Sequence, residues 1–145
     1  MSAVYRVDLD AFAGNLSRIR AAVTPAQHML VVKDDAYAHG LETLVRRAWQ
    51  EGVRWFGAFD VATGAAVRAV VGPEARIFVW LIGGTDDLRA GVADDLDLGI
   101  GDAVLLHDLA SITAARRARV HLKVDTGLHR NGIRPERWSE ALDTV

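Results

Sequence analysis

The chain of 145 residues contains no cysteine, which excludes disulfides and thiolate metal sites and leaves the redox compartment open. Proline is scarce, at three residues, so long periodic segments run uninterrupted. No apolar run approaches the roughly 18 residues of a membrane span. The opening MSAVYRVDLDAFAG carries Arg6, Asp8 and Asp10, a pattern foreign to secretory leaders. A net charge of −2 offers no excess of either sign to draw nucleic acid or a membrane surface. Neither G-x-G-x-x-G nor G-x-x-x-x-G-K-[ST] occurs, so the usual phosphate loops are missing. His28, His39, His107, His121 and His129 do not form a zinc set, and no metal is expected. These absences make a soluble cytoplasmic protein the default expectation.

Apolar residues make up 50% of the chain, enough for the core of one domain. Leu9, Phe12, Ala13, Leu16 and Val23 recur at helical spacing behind a capping Asp8, and Pro25 closes that helix. HMLVVK reads as a short buried strand and LETLVRRAWQ as an amphipathic helix stopped by Gly52. The cycle repeats. RWFGAFD, RIFVWLI, LDLGI and RVHLKVD are four further strands. VATGAAVRAVV and DAVLLHDLASITAARR are helices, and GGTDDLRAGV is a loop with about one helical turn. After the last strand a helix starts at Pro135, with Trp138, Ala141, Leu142 and Val145 on one face. The tryptophans at 49, 55, 80 and 138 fall on expected core faces.

Strands alternating with helices imply a parallel sheet with right-handed crossovers. An open doubly wound sheet and a (β/α)₈ barrel both satisfy this pattern. A complete barrel takes eight strands and about 250 residues, so a barrel of this length is incomplete, with about five of eight units. It leaves two open parallel edges and an uncovered interior, and is expected to be marginal or oligomeric.

In either architecture the chemistry gathers at the carboxyl ends of the strands. Lys33 ends the first strand in VVKDDAYAHG, and Lys123 and Asp125 end the fifth. A lysine partly out of water is a usable nucleophile toward carbonyls. A lysine after a strand is otherwise a surface residue, and the acids beside it are then solubilising.

VVKDDAYAHG resembles the pyridoxal-phosphate lysine motif of alanine racemases, V-V-K-A-[DN]-A-Y-G-H-G. HLKVDTGLHRNGI resembles the family's second signature, K-x-D-T-G-M-x-R-x-G. VDLDAFAGNLSRIR and GVRWFGAFDVATGAAVR are similar to its opening and its intervening segment, in the same order. The resemblance implies a fold type III pyridoxal-phosphate barrel, with residues 1–145 as its incomplete N-terminal part. It implies that the complete protein is a cytoplasmic homodimer interconverting L- and D-alanine for peptidoglycan precursors. Lys33 would then be the Schiff-base lysine and one catalytic base. Tyr37 would lie near the cofactor phosphate. Arg130 would meet the ring's phenolic oxygen and the substrate carboxylate. Lys123 stands where many members carry a carbamylated lysine that braces this arginine.

The family's second base is a tyrosine of the partner subunit's C-terminal domain, and Tyr5 and Tyr37 are the only tyrosines here. The chain alone is therefore expected to be inactive. The alternatives are a truncated module that binds pyridoxal phosphate without turnover, or an inactive remnant. Two positions depart from the family motif. Asp34 replaces an alanine, and strand alternation would turn it away from the mouth. Ala38 replaces a glycine, at a cost of about 1 kcal/mol if its φ is positive.

Overall fold

Five strands, all parallel, lie side by side in chain order, β1 (Met29–Val31), β2 (Trp55–Asp60), β3 (Arg76–Leu81), β4 (Asp97–Ile100) and β5 (Arg119–Leu122). The structure is a computed structural model that describes residues 3–114 and 116–145. A doubly wound sheet reverses its strand order at a switch point. The order 1-2-3-4-5 has no reversal, so the sheet winds in one sense as a barrel wall does.

Glycines identify the two faces of this wall. A Cβ on Gly57 would sit 2.7 Å from the Trp80 ring, and one on Gly99 would sit 2.9 Å from Phe78. These four residues therefore share the inner face. On the other face Phe56, Ala58, Ile77, Val79, Leu98 and Ile100 are buried against the helices. The helix α4 (Val61–Val71) comes so close that a Cβ on Gly64 would meet Val79 at 2.8 Å. The helix α5 (Thr85–Ala93) does the same, with Gly91 against Leu98 at 2.7 Å.

Aspartates set the helix starts. Asp8 accepts from the amides of Asp10 and Ala11 and opens α1 (Leu9–Val23). Asp60, the last residue of β2, accepts from Thr63 N at 2.8 Å and turns the chain directly into α4. Asp102 does this for α6 (Ala103–Ser111). Each side chain satisfies an amide that the helix itself leaves unpaired. α3 (Leu41–Gln50) buries Leu44, Val45 and Ala48, and Gly52 at φ +85° follows its end. Burying a Leu or Val side chain contributes about 1.5–3 kcal/mol, so this stripe anchors the helix firmly.

Four expectations need correction. GGTDDLRAGV is a helix, α5, of nine residues rather than a single turn. The helix starting near Asp102 stops at Ser111, and Ala115 within the expected span lies outside the described residues, as do Met1 and Ser2. The last helix begins as a 3₁₀ turn, Pro135–Arg137, and continues as α7 (Trp138–Asp143), with Ala141 buried but Leu142 and Val145 exposed. Trp49 and Trp138 pack against the core, whereas Trp80 lies on the inner face and is 38% exposed.

Candidate active site

β1 ends at Val31, and the ladder persists one residue further through Val32 N–H donating to the Gly57 carbonyl at 2.8 Å. The segment α2 (Lys33–Ala38) then does not continue as a strand or as an ordinary helix. Asp34, Asp35, Ala36, Tyr37 and Ala38 all have φ between +53° and +62°, a left-handed helical turn that begins immediately after Lys33. Each such residue other than glycine costs on the order of 1–2 kcal/mol, less for aspartate. Asp34 and Asp35 suit the conformation; the two alanines and the tyrosine are forced into it. The strain is offset by a buried Ala36, by its N–H bond to the Val32 carbonyl at 3.1 Å, and by Gly40 at φ +89°, which releases the chain into α3.

The turn reverses the chain beside Lys33, so that the lysine Nζ lies 5.8 Å from the centroid of the Tyr37 ring. Lys33 is half-buried and Tyr37 exposed. Two details of the sequence reading change. Asp34 lies past the strand, so strand alternation does not govern its direction. Ala38 does adopt a positive φ, +62°, as the motif's glycine would.

The second signature forms at the end of β5. Ile133 N–H donates to the Lys123 carbonyl at 2.7 Å, and Asp125 N–H donates to the Ile133 carbonyl at 3.0 Å. Residues 126–132 thus form a closed loop. Asp125 organises it from inside. Its Oδ1 accepts from the backbone of Gly127 at 2.9 Å and of His129 at 3.1 Å, and its Oδ2 accepts from His129 Nδ1 at 2.9 Å. The Gly127 amide first, then the His129 side chain and amide, hold the Asp125 carboxyl down at about 2. The loop presents Arg130 to solvent, and Lys123 is exposed as well. Among the described residues neither side chain forms an ion pair or hydrogen bond.

Lys33 with Tyr37 and Lys123 with Arg130 therefore occupy the same end of the sheet but opposite edges of it. Four interstrand steps separate them, about 19 Å along the wall at 4.8 Å per step. Curvature brings such edges face to face across a barrel mouth.

Other polar features lie elsewhere. Asp97, fully buried in β4, takes Arg76 from β3 and Arg119 from β5, with His121 Nε2 at 3.6 Å. These groups sit toward the amino ends of the strands, away from the mouth. An aspartate inside a buried strand, flanked by two strands that each open on arginine, was the signal in the sequence. A cleft of about 670 Å³ at that same end is lined by Arg20, His28, Arg54 and Trp55. Its arginines are already bonded, Arg20 to the Glu51 carbonyl and Arg54 to those of Trp49 and Val53. It contains no lysine.

Over residues 7–145 the chain matches the family described as alanine racemase, N-terminal domain. It is 41% identical over 138 residues to the alanine racemase of Thermobifida fusca, covering 94% of this chain and 37% of that protein. Against the alanine racemase of Beutenbergia cavernae it is 40% identical over 143 residues, 96% of this chain and 37% of that protein. The chain thus spans little more than a third of these relatives' length. The alanine racemase structure from Corynebacterium glutamicum superposes with a TM-score of 0.87 at 30% identity, over 95% of this chain and 40% of that one. The one from Streptomyces lavendulae superposes with a TM-score of 0.83 at 36% identity, over 92% and 35%. The family model covers nearly the whole chain and solved alanine racemases share its singly wound parallel wall, so this chain belongs to the alanine racemase N-terminal domain family.

Proposed function

We propose that residues 1–145 are the N-terminal part of a pyridoxal-phosphate-dependent alanine racemase, with Lys33 as the lysine that holds the cofactor. The observation that carries this reading is the left-handed turn at the mouth, which isolates Lys33 beside the Tyr37 ring at the carboxyl end of β1. The residues fit the group. An amine suits its aldehyde, the nearby phenol suits its phosphate, and the unpaired guanidinium of Arg130 suits its phenolic oxygen. When bound, pyridoxal phosphate supplies an electron sink that makes the α-hydrogen of an attached amino acid acidic.

The protein's own groups then divide the remaining work. Lys33 Nζ, as a free amine, takes or returns the proton at the substrate Cα on one face. Tyr37 donates its hydroxyl to the phosphate end. Arg130 binds the substrate carboxylate, and Lys123, carbamylated, turns from a cation into an anion that steadies Arg130. Inversion needs a second proton carrier on the opposite face. Tyr37 is already given to the phosphate end, and we assign the role to a tyrosine outside these residues, contributed by a partner subunit of a homodimer. The substrate is alanine, the product serves peptidoglycan precursors and the compartment is the cytoplasm.

A second reading is favoured by the unpaired outer edges of β1 and β5: these residues bind the cofactor without turnover until the rest of a barrel covers them. The test is simple because Lys33 and Lys123 are the chain's only lysines. The chain is mixed with pyridoxal phosphate, reduced with borohydride and mapped by mass spectrometry, beside Lys33→Ala. A visible absorbance band and an adduct on Lys33, both lost in the variant, are expected. An adduct confined to Lys123 or the amino terminus overturns the assignment.

A further inference from the structure

Two neighbouring aspartates, Asp34 and Asp35, sit in the left-handed turn with nearly the same backbone, φ +53° and +54°. Their side chains differ in what they hold. Oδ1 of Asp35 accepts from the backbone N–H of Leu41 at 2.8 Å. Asp34 makes no hydrogen bond or ion pair among the described residues.

Leu41 is the first residue of α3, and the residue at the cap position is Gly40, which has no side chain to offer. The first amides of a helix have no partner within it. Asp35 thus supplies, from six residues upstream, the acceptor that a capping side chain ordinarily provides. A carboxylate also suits the positive end of the helix dipole. The backbone joins in, since the Asp35 carbonyl accepts from Gly40 N–H at 3.0 Å. A second tie runs from His39, whose Nδ1 lies 2.9 Å from the Ala36 carbonyl. A carbonyl only accepts, so this ring nitrogen carries the proton. Support therefore passes from the buried stripe of α3 through Leu41 N–H to Asp35, and from there to a strained turn that relaxes if released.

We propose that Asp35 is a positioning residue for Lys33, locking the left-handed turn onto α3 so that Lys33 and Tyr37 stay together at the mouth. This rests on the reading of Lys33 as the cofactor lysine. The bond requires an acceptor oxygen and not a charge, so asparagine serves there as well.

The test combines two readouts on the 145-residue chain. One is hydrogen exchange at the Leu41 amide, which needs no cofactor. The other is the ratio of Lys33 to Lys123 labelling by pyridoxal phosphate and borohydride. Asp35→Gly removes the acceptor while relieving the left-handed strain, so loss of fold does not confuse the result. It is expected to speed Leu41 exchange about tenfold and to lower the labelling ratio severalfold. Asp35→Asn and Asp34→Gly are expected to stay within about twofold of the parent on both. Unchanged Leu41 exchange in Asp35→Gly, or equal effects from Asp34→Gly, overturns the proposal. A parent chain that takes no label on Lys33 refutes the cofactor reading instead, and the exchange result then judges the clamp alone.

Discussion

Arg119, on the edge strand β5, reaches across to the fully buried carboxylate of Asp97 in β4 and donates to its Oδ1. Arg76 of β3 donates to the other oxygen at 2.6 Å while stacking 4.5 Å from the Trp55 ring centroid. One acid therefore staples three adjacent strands from the inner face.

Removing that charge is expected to be costly. Asp97→Asn removes the anion of Arg76, while Arg119 keeps Asp95 Oδ1 at 2.8 Å. Breaking a fully buried pair costs about 3–5 kcal/mol, and the arginines' partial exposure to water reduces this to about 2–3 kcal/mol. A fall in melting temperature on the order of 5–10 °C is expected. A Tm within about 2 °C of the parent would show that the staple adds nothing.

The regular elements were readable where one rule governed them. LETLVRRAWQ and VATGAAVRAVV have the bounds of α3 and α4 because helical periodicity and a following glycine agree. The full length of α5 is not legible in GGTDDLRAGV, where Gly91 stands within the helix. This glycine lets the helix approach Leu98, a tertiary contact that no local rule contains. Trp80 reads as core because both faces of a parallel strand are apolar, and the pattern alone does not tell the helix side from the barrel interior. The site was legible as chemistry, Lys33 and Arg130 at two strand ends, but its backbone was not. Five successive left-handed residues, none of them glycine, run against the propensities of the two alanines and the tyrosine, and the turn is tied to the chain on either side through Asp35 to Leu41 and Ala36 to Val32.

Ala38 offers a direct measure of that strain. At φ +62° its methyl group adds a penalty that glycine does not carry. Ala38→Gly also loosens the unfolded chain, which offsets part of the gain. A net stabilisation of about 0.5–1 kcal/mol is expected in urea titration. A destabilised variant would mean that the turn is not left-handed at this residue.

The Asp125 carboxyl, held at about 2 by the Gly127 amide and His129, links the arginine loop to pH. Its folded value lies below the unfolded one of about 3.9. Its stabilising contribution is therefore complete above pH 4 and is lost as pH falls toward 2. Asp125→Asn keeps an acceptor for the Gly127 amide but has nothing to titrate. Between pH 5 and pH 2.5 the parent is expected to lose more stability to denaturant than the variant. Parallel losses in both would disconnect this carboxylate from acid sensitivity.

Gly132 closes the same loop. A Cβ there would lie 2.6 Å from Asp125 N and 2.8 Å from its Cα, both backbone atoms, and the residue sits at φ +143°. Nothing flexible lies in the way that might move aside. Its N–H donates to the Gly101 carbonyl at 3.1 Å, which ties the loop to the end of β4. Gly132→Ala therefore forces either the turn or the Val124–Ile133 bridge to open. A loss of about 2–4 kcal/mol is expected, confined at first to the loop. Hydrogen exchange is expected to quicken at Asp125, Gly127 and Ile133 while the amides of β2 and β3 remain protected. Uniform quickening across the sheet would mean that the loop is no separate unit. Unchanged exchange would mean that the close approach at Gly132 does not hold in solution.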